Sequence, residues 1–374
     1  MIYLDNAATT YQKPPEVKKE LLNALKYCGG NPGRSSHRLS LSAAEKIYSV
    51  REKGCGLLSL DSPENIVFTY NATQALNLAI KAFVTDNCHV LCSDFEHNSV
   101  IRPLEKLRIS KNIDYSTFSN EVDLSDELDK KKKSHTKGII CSIASNVTGD
   151  CLDLNALSDY ATRNRLFLII DASQAIGHRE IDLSKANVDA LCAPGHKALF
   201  GIAGCGFAYF RDKNRGDTLF EGGSGAESVN PYMPALLPEG YEAGTPGTPA
   251  IATLGAGIDF INKIGINNIE ERLNFLTAEC VERLSNIREL RLYKAGNGIV
   301  SFNLCDLPSS KVASMLDSYG ICVRGGLQCA PSIHKKLGTL DVGAVRISFS
   351  YFNNIGEIDR LYKVLKSIRK GDAF

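Results

Sequence analysis

The sequence lacks the features that mark several large classes of protein. No apolar run approaches the roughly 18 residues that a transmembrane helix needs. We expect no secretory leader, because residues 1–5 run directly into a stretch that reads as structured. The net charge is only +1, so we expect neither a nucleic acid nor an anionic membrane surface as a partner.

Two nucleotide-binding motifs and a metal-binding pattern are also missing. A G-x-G-x-x-G turn after a strand and a G-x-x-x-x-G-K-[ST] loop do not occur, which excludes dinucleotide-dependent dehydrogenases and P-loop NTPases. The 12 cysteines form no C-x-x-C pair and no His/Cys cluster, so we predict no metal. We expect a cytoplasmic protein whose cysteines are reduced and mostly buried.

What is present suits a large domain with a smaller companion. The chain has 374 residues, of which 44% are hydrophobic and 23% are charged, typical of a globular protein with a full core. Short apolar runs alternate with amphipathic helical stretches, which predicts an α/β domain with a mostly parallel sheet. The predicted strands are 65–69, 89–92, 138–143, 166–170, 188–192 and 206–210.

A smaller α+β unit is predicted after the Gly- and Pro-rich passage 221–249. A long helical pattern covers 250–285, and strands are predicted at 299–304 and 345–349. A closing helix is predicted over 357–368. The change of pattern therefore predicts two structural units, a large α/β domain and a smaller α+β domain.

Polar residues follow the predicted strands, where ligands bind in open α/β sheets. Asp171 follows one strand and Lys197 lies just after another, while Asn71 to Gln74 join a strand to a helix that can hold a phosphate. One cofactor, pyridoxal 5′-phosphate (PLP), uses a lysine, a carboxylate and an anion cradle together. Each residue alone has an ordinary structural explanation, such as a cap or a turn; the joint pattern favours PLP.

The chain resembles the class V aminotransferases, which are fold-type I PLP enzymes, and among them the cysteine desulfurases. The resemblance runs over essentially the whole chain. It implies a large PLP-binding domain at 15–250 and a small domain at 251–374 completed by the N-terminal segment 1–14. The matching segments are Tyr3–Thr10, Asn71–Asn77, Glu96–Ser99, Asp171–Gln174, Gly195–Lys197, Arg324–Ala330 and Arg346–Ser348.

The resemblance implies a role for each matching cofactor-binding residue. Lys197 is similar to the lysine that forms the Schiff base and moves the Cα proton. The other expected cofactor contacts are Asp171 at the pyridine nitrogen, Gln174 at the ring hydroxyl, His97 stacked on the ring, Ala72, Thr73 and His196 at the phosphate, and Asn146 beside the ring.

The resemblance also implies contacts to the substrate and to a second subunit. Arg346 is expected to clamp the substrate carboxylate, a task that suits a planar two-donor fork, with Asn146 beside it. Thr245 is similar to a residue that reaches the partner subunit's phosphate, which implies a homodimer with shared active sites. An amino acid is the expected substrate, and a sulfur-acceptor protein is a further expected partner.

Cys329 is expected to accept sulfur from L-cysteine, leaving alanine, with His97 and Lys197 as the other catalytic residues. Its short loop is Suf-type-like. Two alternatives remain open: a selenocysteine lyase, and a class V aminotransferase or β-lyase that acts on another β-substituted amino acid without Cys329. A docking subunit activated by its partner is a third reading, and the retained catalytic set argues against a purely non-catalytic form.

Two departures place the chain in a divergent branch. Pro194 stands where the family commonly has a phosphate-binding serine, and Ser224 and Ser228 are weak candidates to replace it. Gln328 stands where Suf-type enzymes often have histidine, which is expected to remove a titratable group near Cys329.

Overall fold

A computed structural model describes residues 1–33, 35–212 and 216–368. The strands within these ranges are β1 (Ile2–Tyr3), β2 (Ile66–Thr69), β3 (His89–Ser93), β4 (Asp114–Phe118), β5 (Thr136–Ser142), β6 (Phe167–Asp171), β7 (Ala190–Pro194), β8 (Gly206–Phe210), β9 (Leu290–Leu292), β10 (Ile299–Leu304), β11 (Ile321–Cys322) and β12 (Val345–Ser348). The helices are α1 (Pro15–Tyr27), α2 (Arg38–Leu57), α3 (Ala72–Phe83), α4 (Asn98–Ser110), α5 (Leu124–Lys131), α6 (Leu154–Asn164), α7 (Thr248–Ile264), α8 (Ile266–Ser285), α9 (Ser309–Ser318), α10 (Pro331–Leu337) and α11 (Ile355–Ser367).

Seven strands form the central sheet in the order β2-β8-β7-β6-β5-β3-β4. The pairs from β4 through β7 are parallel, and only β8 runs antiparallel to its two neighbours in this sheet. The prediction of an α/β fold with a mostly parallel sheet is therefore confirmed. Every residue of β3 and β7 is buried, as expected for strands that are covered on both faces.

Helix α3 begins where the sequence places a cap. The Asn71 side chain accepts a hydrogen bond from the backbone N–H of Gln74 at 2.9 Å. Such a cap stabilises a helix by about 1 kcal/mol. The buried face of α3 includes Leu76, Ala79 and Phe83 and packs against the strands, so the N-terminus of the helix stays at the carboxyl end of β2.

The C-terminal part of the chain forms a second, smaller sheet. Strands β12, β10 and β9 make an antiparallel three-stranded sheet. Strand β1 pairs in parallel with β11, so the N-terminus of the chain is built into the C-terminal unit. The division at 15–250 and 251–374 stays a prediction, and the end of the second range, 369–374, lies outside the described residues.

Three predictions about elements were wrong in detail. The helical pattern over 250–285 is two helices, because Gly265 separates α7 from α8 with a φ of +87°. The predicted strand 188–192 is β7, shifted to Ala190–Pro194. Strand β4 was missed because its alternating, partly exposed pattern lies at the sheet edge and lacks a continuous apolar run. Within the described ranges, every helix is too short or too polar to cross a bilayer.

Candidate active site

The carboxyl ends of β2, β3, β5, β6 and β7 open onto one cavity of about 210 Å³. Parallel strands direct their following loops to the same edge of a sheet, which brings together residues that are distant in the chain. Eight of the predicted site residues line this cavity: Ala72, Thr73, His97, Asn146, Asp171, Gln174, His196 and Lys197. Arg346 lines it too, from the C-terminal unit.

Lys197 follows β7 and is half-buried at the base of the cavity. Removal from water lowers the pKa of its amine to about 8; Asp171 opposes this shift, while Arg346 and Arg324 add to it. With a pKa of about 8, about a tenth of the amine is uncharged at pH 7. This is far more than for an ordinary lysine, and the uncharged amine is the nucleophilic form. The site therefore supplies a reactive lysine.

Asp171, the last residue of β6, is 5% exposed and accepts a hydrogen bond from the backbone N–H of Ser173 at 2.9 Å. Its neighbour in the sheet register is Ser142. Ser142 in turn binds a second carboxyl group, that of Glu96, which is fully buried. Burial is the main cause that raises the pKa of Glu96 to about 8, and Asp171 adds to it. The site thus holds Asp171 beside a carboxyl group that is mainly protonated at pH 7.

His97 caps α4, since its Nδ1 atom accepts from the backbone N–H of Ser99 at 3.1 Å. The acceptor role of Nδ1 leaves the proton on Nε2. Burial lowers the pKa of His97, opposed by Asp171. The Ser99 hydroxyl lies 2.9 Å from Nδ1 and 2.8 Å from the hydroxyl of Thr73. A neutral imidazole is therefore held beside the N-terminus of α3, where free backbone N–H groups favour an anion.

Arg346 is 1% exposed, and two of its nitrogens are already engaged. Nη2 forms an ion pair with Asp5 at 2.8 Å, and Nη1 donates to the backbone oxygen of Asn146 at 2.9 Å. Two other buried atoms, Arg346 Nε and Asn146 Oδ1, have no hydrogen-bond partner among the described residues. Unpaired buried polar atoms are costly, and both residues line the cavity, so they mark a place for a polar ligand.

Cys329 lies on a loop that borders the cavity. Its neighbours Gln328 and Arg324 line the cavity, whereas Cys329 itself does not. A guanidinium nitrogen of Arg324 lies 3.9 Å from Cys329 Sγ. Cys329 is half-buried, so the thiol remains within reach of solvent.

Three sequence-based expectations concern residues away from this cavity. Thr245 lines a different cavity with Gln74 and Phe220, and it accepts from Asn31 Nδ2 at 3.3 Å. Neither Ser224 nor Ser228 is part of the Lys197 cavity, so they do not replace the serine missing at Pro194 within the described protomer. The hydroxyls of Thr73, Ser99 and Ser173 line the cavity instead.

Gln328 contacts a histidine of the helix that follows its loop, which the sequence reasoning did not anticipate. His334 of α10 lies 2.8 Å from the side-chain oxygen of Gln328. Sequence reasoning also assigned no role to Asp5, Glu96 or Arg324, although all three fall inside the matching segments. Their positions inside these segments were the available signal. The contacts of Asp5 with Arg346, of Glu96 with Ser142 and of Arg324 with Cys329 come only from the fold.

The residues present fit PLP on the observations above. The cavity offers a reactive amine, a carboxylate 5% exposed, a neutral imidazole and a helix N-terminus, and it contains two unpaired buried polar atoms. These are the groups that the aldehyde, the pyridine nitrogen, the ring face and the phosphate of PLP require.

Comparison with known proteins shows the family of the chain. The family description "Aminotransferase class-V" matches residues 2–361, and the chain belongs to this family. It is 32% identical to a probable cysteine desulfurase of Methanothermobacter thermautotrophicus, over 98% of this chain and 94% of the relative.

Two solved structures extend the comparison. The structure of a cysteine desulfurase from Thermococcus onnurineus superposes with a TM-score of 0.91 at 29% identity, covering 99% of this chain and 95% of the other. A more distant neighbour, whose structure has glycine covalently linked to the PLP cofactor, superposes with a TM-score of 0.84 at 19% identity. It covers 98% of this chain and 96% of the other, and at this identity the likeness shows the fold alone. The predicted family and fold type are confirmed.

Proposed function

We propose that this chain is a PLP-dependent cysteine desulfurase, which converts L-cysteine to L-alanine and carries the sulfur as a persulfide on Cys329. The observation that carries the proposal is the placement of Cys329 beside Arg324, at the edge of the cavity that Lys197 and Asp171 line. The names of the relatives support the same activity.

The cofactor would be held by the residues already described. Lys197 would hold it covalently, Asp171 would keep the proton on its ring nitrogen, and the N-terminus of α3 with Thr73 would bind its phosphate. His97 would support the ring, and Gln174 and His196 would complete the contacts. When bound, PLP withdraws electrons from the substrate Cα, which makes the Cα proton acidic.

The substrate steps then depend on the chain's own groups. Arg346 binds the carboxylate of cysteine through the guanidinium, where Nε has no partner among the described residues. Lys197 Nζ takes the Cα proton, since burial favours its uncharged form. Asn146 offers its unpaired Oδ1 to the substrate amine.

Cys329 completes the reaction by accepting sulfur. Its thiolate attacks the substrate sulfur, so that an S–S bond forms as the substrate C–S bond breaks, as in thiol–disulfide exchange. The carbon skeleton takes up protons and leaves as alanine. Cysteine and the enzyme thiol thus give alanine and an enzyme persulfide, which passes to a thiol-bearing sulfur-acceptor protein.

A homodimer with shared active sites is part of the proposal. Thr245 does not line the Lys197 cavity of its own chain, which suits a residue that reaches the partner's phosphate. Large apolar side chains are exposed near the same loop, among them Phe220 and Tyr70, which are 57% and 58% exposed. A second copy that covers them would explain this exposure. Light scattering should give twice the mass of one chain, and a monomer would contradict this part.

The test of the activity uses purified protein with bound PLP, L-cysteine and a reductant, with sulfide and alanine measured together. We expect equal amounts of both from the wild type and neither from Cys329→Ala, with the PLP absorption band unchanged. Cys305→Ala is the matched control, since Cys305 is also half-buried and also has a positive φ, 49° against 58°.

Two results would contradict the proposal in different ways. Full activity in Cys329→Ala would show that Cys329 does not accept the sulfur, and keto acid in place of alanine would indicate an aminotransferase. If the wild type makes neither product while PLP is bound, cysteine is not the substrate, and selenocysteine is the next compound to test. The reducing cytoplasm stays a prediction that suits 12 free cysteines.

A further inference from the structure

The backbone at Cys329 has an unfavourable conformation that the surroundings must hold in place. Gln328 and Cys329 both lie in the left-handed region, with φ of 45° and 58°. Two consecutive residues with side chains rarely adopt this conformation, because it is sterically unfavourable for each of them. The loop would relax if nothing fixed it.

The Gln328 side chain supplies the fixation. It is 3% exposed, and its amide nitrogen donates to the backbone oxygen of Ala344 at 2.9 Å and, more weakly, to that of Arg324 at 3.4 Å. Because the nitrogen faces these two acceptors, the amide oxygen must face the other way. It faces Nε2 of His334, at 2.8 Å.

His334 is fully buried and completes an ordered chain of hydrogen bonds. Its Nδ1 atom lies 2.8 Å from the hydroxyl of Thr339. Since Gln328 Oε1 can only accept, His334 Nε2 carries the proton and Nδ1 accepts from Thr339. Burial lowers the pKa of His334 to about 4, so the imidazole stays neutral in this arrangement.

The same loop is attached to the cavity wall through its backbone. Asn146 Nδ2 donates to the Gln328 carbonyl at 2.7 Å, and the Asn98 backbone N–H donates to the Cys329 carbonyl at 2.8 Å. Asn146 lines the cavity, and Asn98 follows His97, the predicted support of the cofactor ring. The orientation of the Gln328 side chain therefore decides where these two carbonyls, and with them the Cys329 thiol, stand relative to the cavity.

We propose that Gln328 and His334 are positioning residues which hold the left-handed loop of Cys329 against the cavity and so place its thiol for sulfur transfer. The inference rests on the proposed role of Cys329 as sulfur acceptor. Gln328 stands where Suf-type enzymes often have histidine. The inference assigns it a function that depends on a different residue, the buried His334 of α10.

The test replaces Gln328 by leucine, which has a similar size and removes the side-chain hydrogen bonds to Ala344, Arg324 and His334. In the PLP-bound enzyme we expect kcat for alanine formation to fall roughly 10- to 100-fold, because the reacting thiol is displaced. KM for cysteine and the PLP absorption band should stay within about twofold of wild type, since substrate binding and the cofactor contacts are kept. Hydrogen exchange of the peptide covering 325–333 should become faster.

A pair of variants at His334 separates positioning from a general loss of structure. His334→Gln keeps an N–H that can reach Gln328 Oε1, and it should retain most of the kcat and the slow exchange. His334→Leu should behave like Gln328→Leu. Lys335→Ala, which changes an exposed neighbour on α10, is the control and should match the wild type.

The proposal is overturned if Gln328→Leu keeps the wild-type kcat and the wild-type exchange of 325–333. If Gln328→Leu loses PLP or folds poorly, the His334 pair decides, and equal behaviour of His334→Gln and His334→Leu overturns the proposal. If the wild type forms no alanine, the proposed function fails, whereas the exchange measurement, which needs no turnover, still decides whether the pair holds the loop.

Discussion

The protonated state of Glu96 gives the sharpest prediction about stability. Glu96 Oε1 accepts from the backbone N–H of Ser142 at 2.8 Å and from the hydroxyl and the N–H of Ser93. Among the described residues, Oε2 has a single partner, the Ser142 hydroxyl at 3.1 Å. Three donors at one oxygen and one hydroxyl at the other suit a carboxylic acid, whose Oε2–H can donate to Ser142. Glutamine presents the same pattern, an accepting oxygen and a donating nitrogen. Glu96→Gln should therefore fit the site without repacking.

The size of the stability change with pH follows from the pKa of Glu96 in the folded and unfolded states. The pKa of Glu96 is about 8 in the folded protein against an ordinary value of 4.5, so the folded state holds a proton that the unfolded state releases between these pH values. A raised folded pKa means that the stability is fully present below pH 4.5 and is lost as the pH rises to about 8. At about 1.4 kcal/mol per unit, the loss reaches about 5 kcal/mol.

Glu96→Gln carries no titrating group and escapes this loss. For a chain of 374 residues, an unfolding entropy of about 0.8 kcal/mol/K converts 5 kcal/mol to roughly 6 °C. The window from pH 5 to pH 8 contains most of this loss, so the difference in Tm between Glu96→Gln and wild type should grow by up to about 5 °C over it and then level off.

The assay is thermal unfolding of both proteins at five pH values from 5 to 9, in buffers of equal ionic strength. The control is Glu52→Gln, which removes an exposed carboxylate on α2 and should differ from wild type by a constant amount. A Tm difference for Glu96→Gln that does not change across this range would refute the reasoning, because it would mean that Glu96 is ionised in the folded protein.

Three further predictions address other parts of the structure. In cofactor-free protein, the rate at which Lys197 reacts with PLP should rise about tenfold per pH unit below its pKa of about 8 and then level off. The reaction is measured through the PLP absorption band. A rate that keeps rising to pH 10 would contradict the lowered pKa. Asp5→Asn should lower the free energy of unfolding by about 1–3 kcal/mol in denaturant titrations, since the buried Arg346 loses its charged partner, whereas Asp259→Asn, in a surface pair with Lys53, should change it little. Gly149→Ala should lower the free energy of unfolding by about 3 kcal/mol or more, because a Cβ would lie 1.8 Å from the Gly296 oxygen at a φ of +69°. Gly56→Ala, where α2 has open space around the added Cβ, should leave this free energy unchanged or raise it in the same titration. Equal effects of the two substitutions would contradict the steric argument.

Much of the fold and most of the site could be predicted from the sequence because the relevant signals are local. Strand β6 is a continuous apolar run, and the cap at Asn71 stands directly before an amphipathic helix, so α3 was predicted from neighbouring residues alone. Once the strands are known, the rule that loops at their carboxyl ends share one edge already brings Asp171 and Lys197 together. The edge strand β4 was missed because only its position in the sheet, not its composition, makes it a strand.

The sequence by itself therefore determined which polar residues follow the strands and that these residues share one edge of the sheet. The tertiary structure alone decided the ionisation and the hydrogen-bond partners of these residues. Arg346 is paired with Asp5, 341 positions away. Glu96 is fully buried near Asp171, and Gln328 is hydrogen-bonded to His334. The physical reason is that desolvation and hydrogen-bond pairing depend on every group within a few ångströms. Those neighbours come from distant parts of the chain, and no local pattern of residues specifies them.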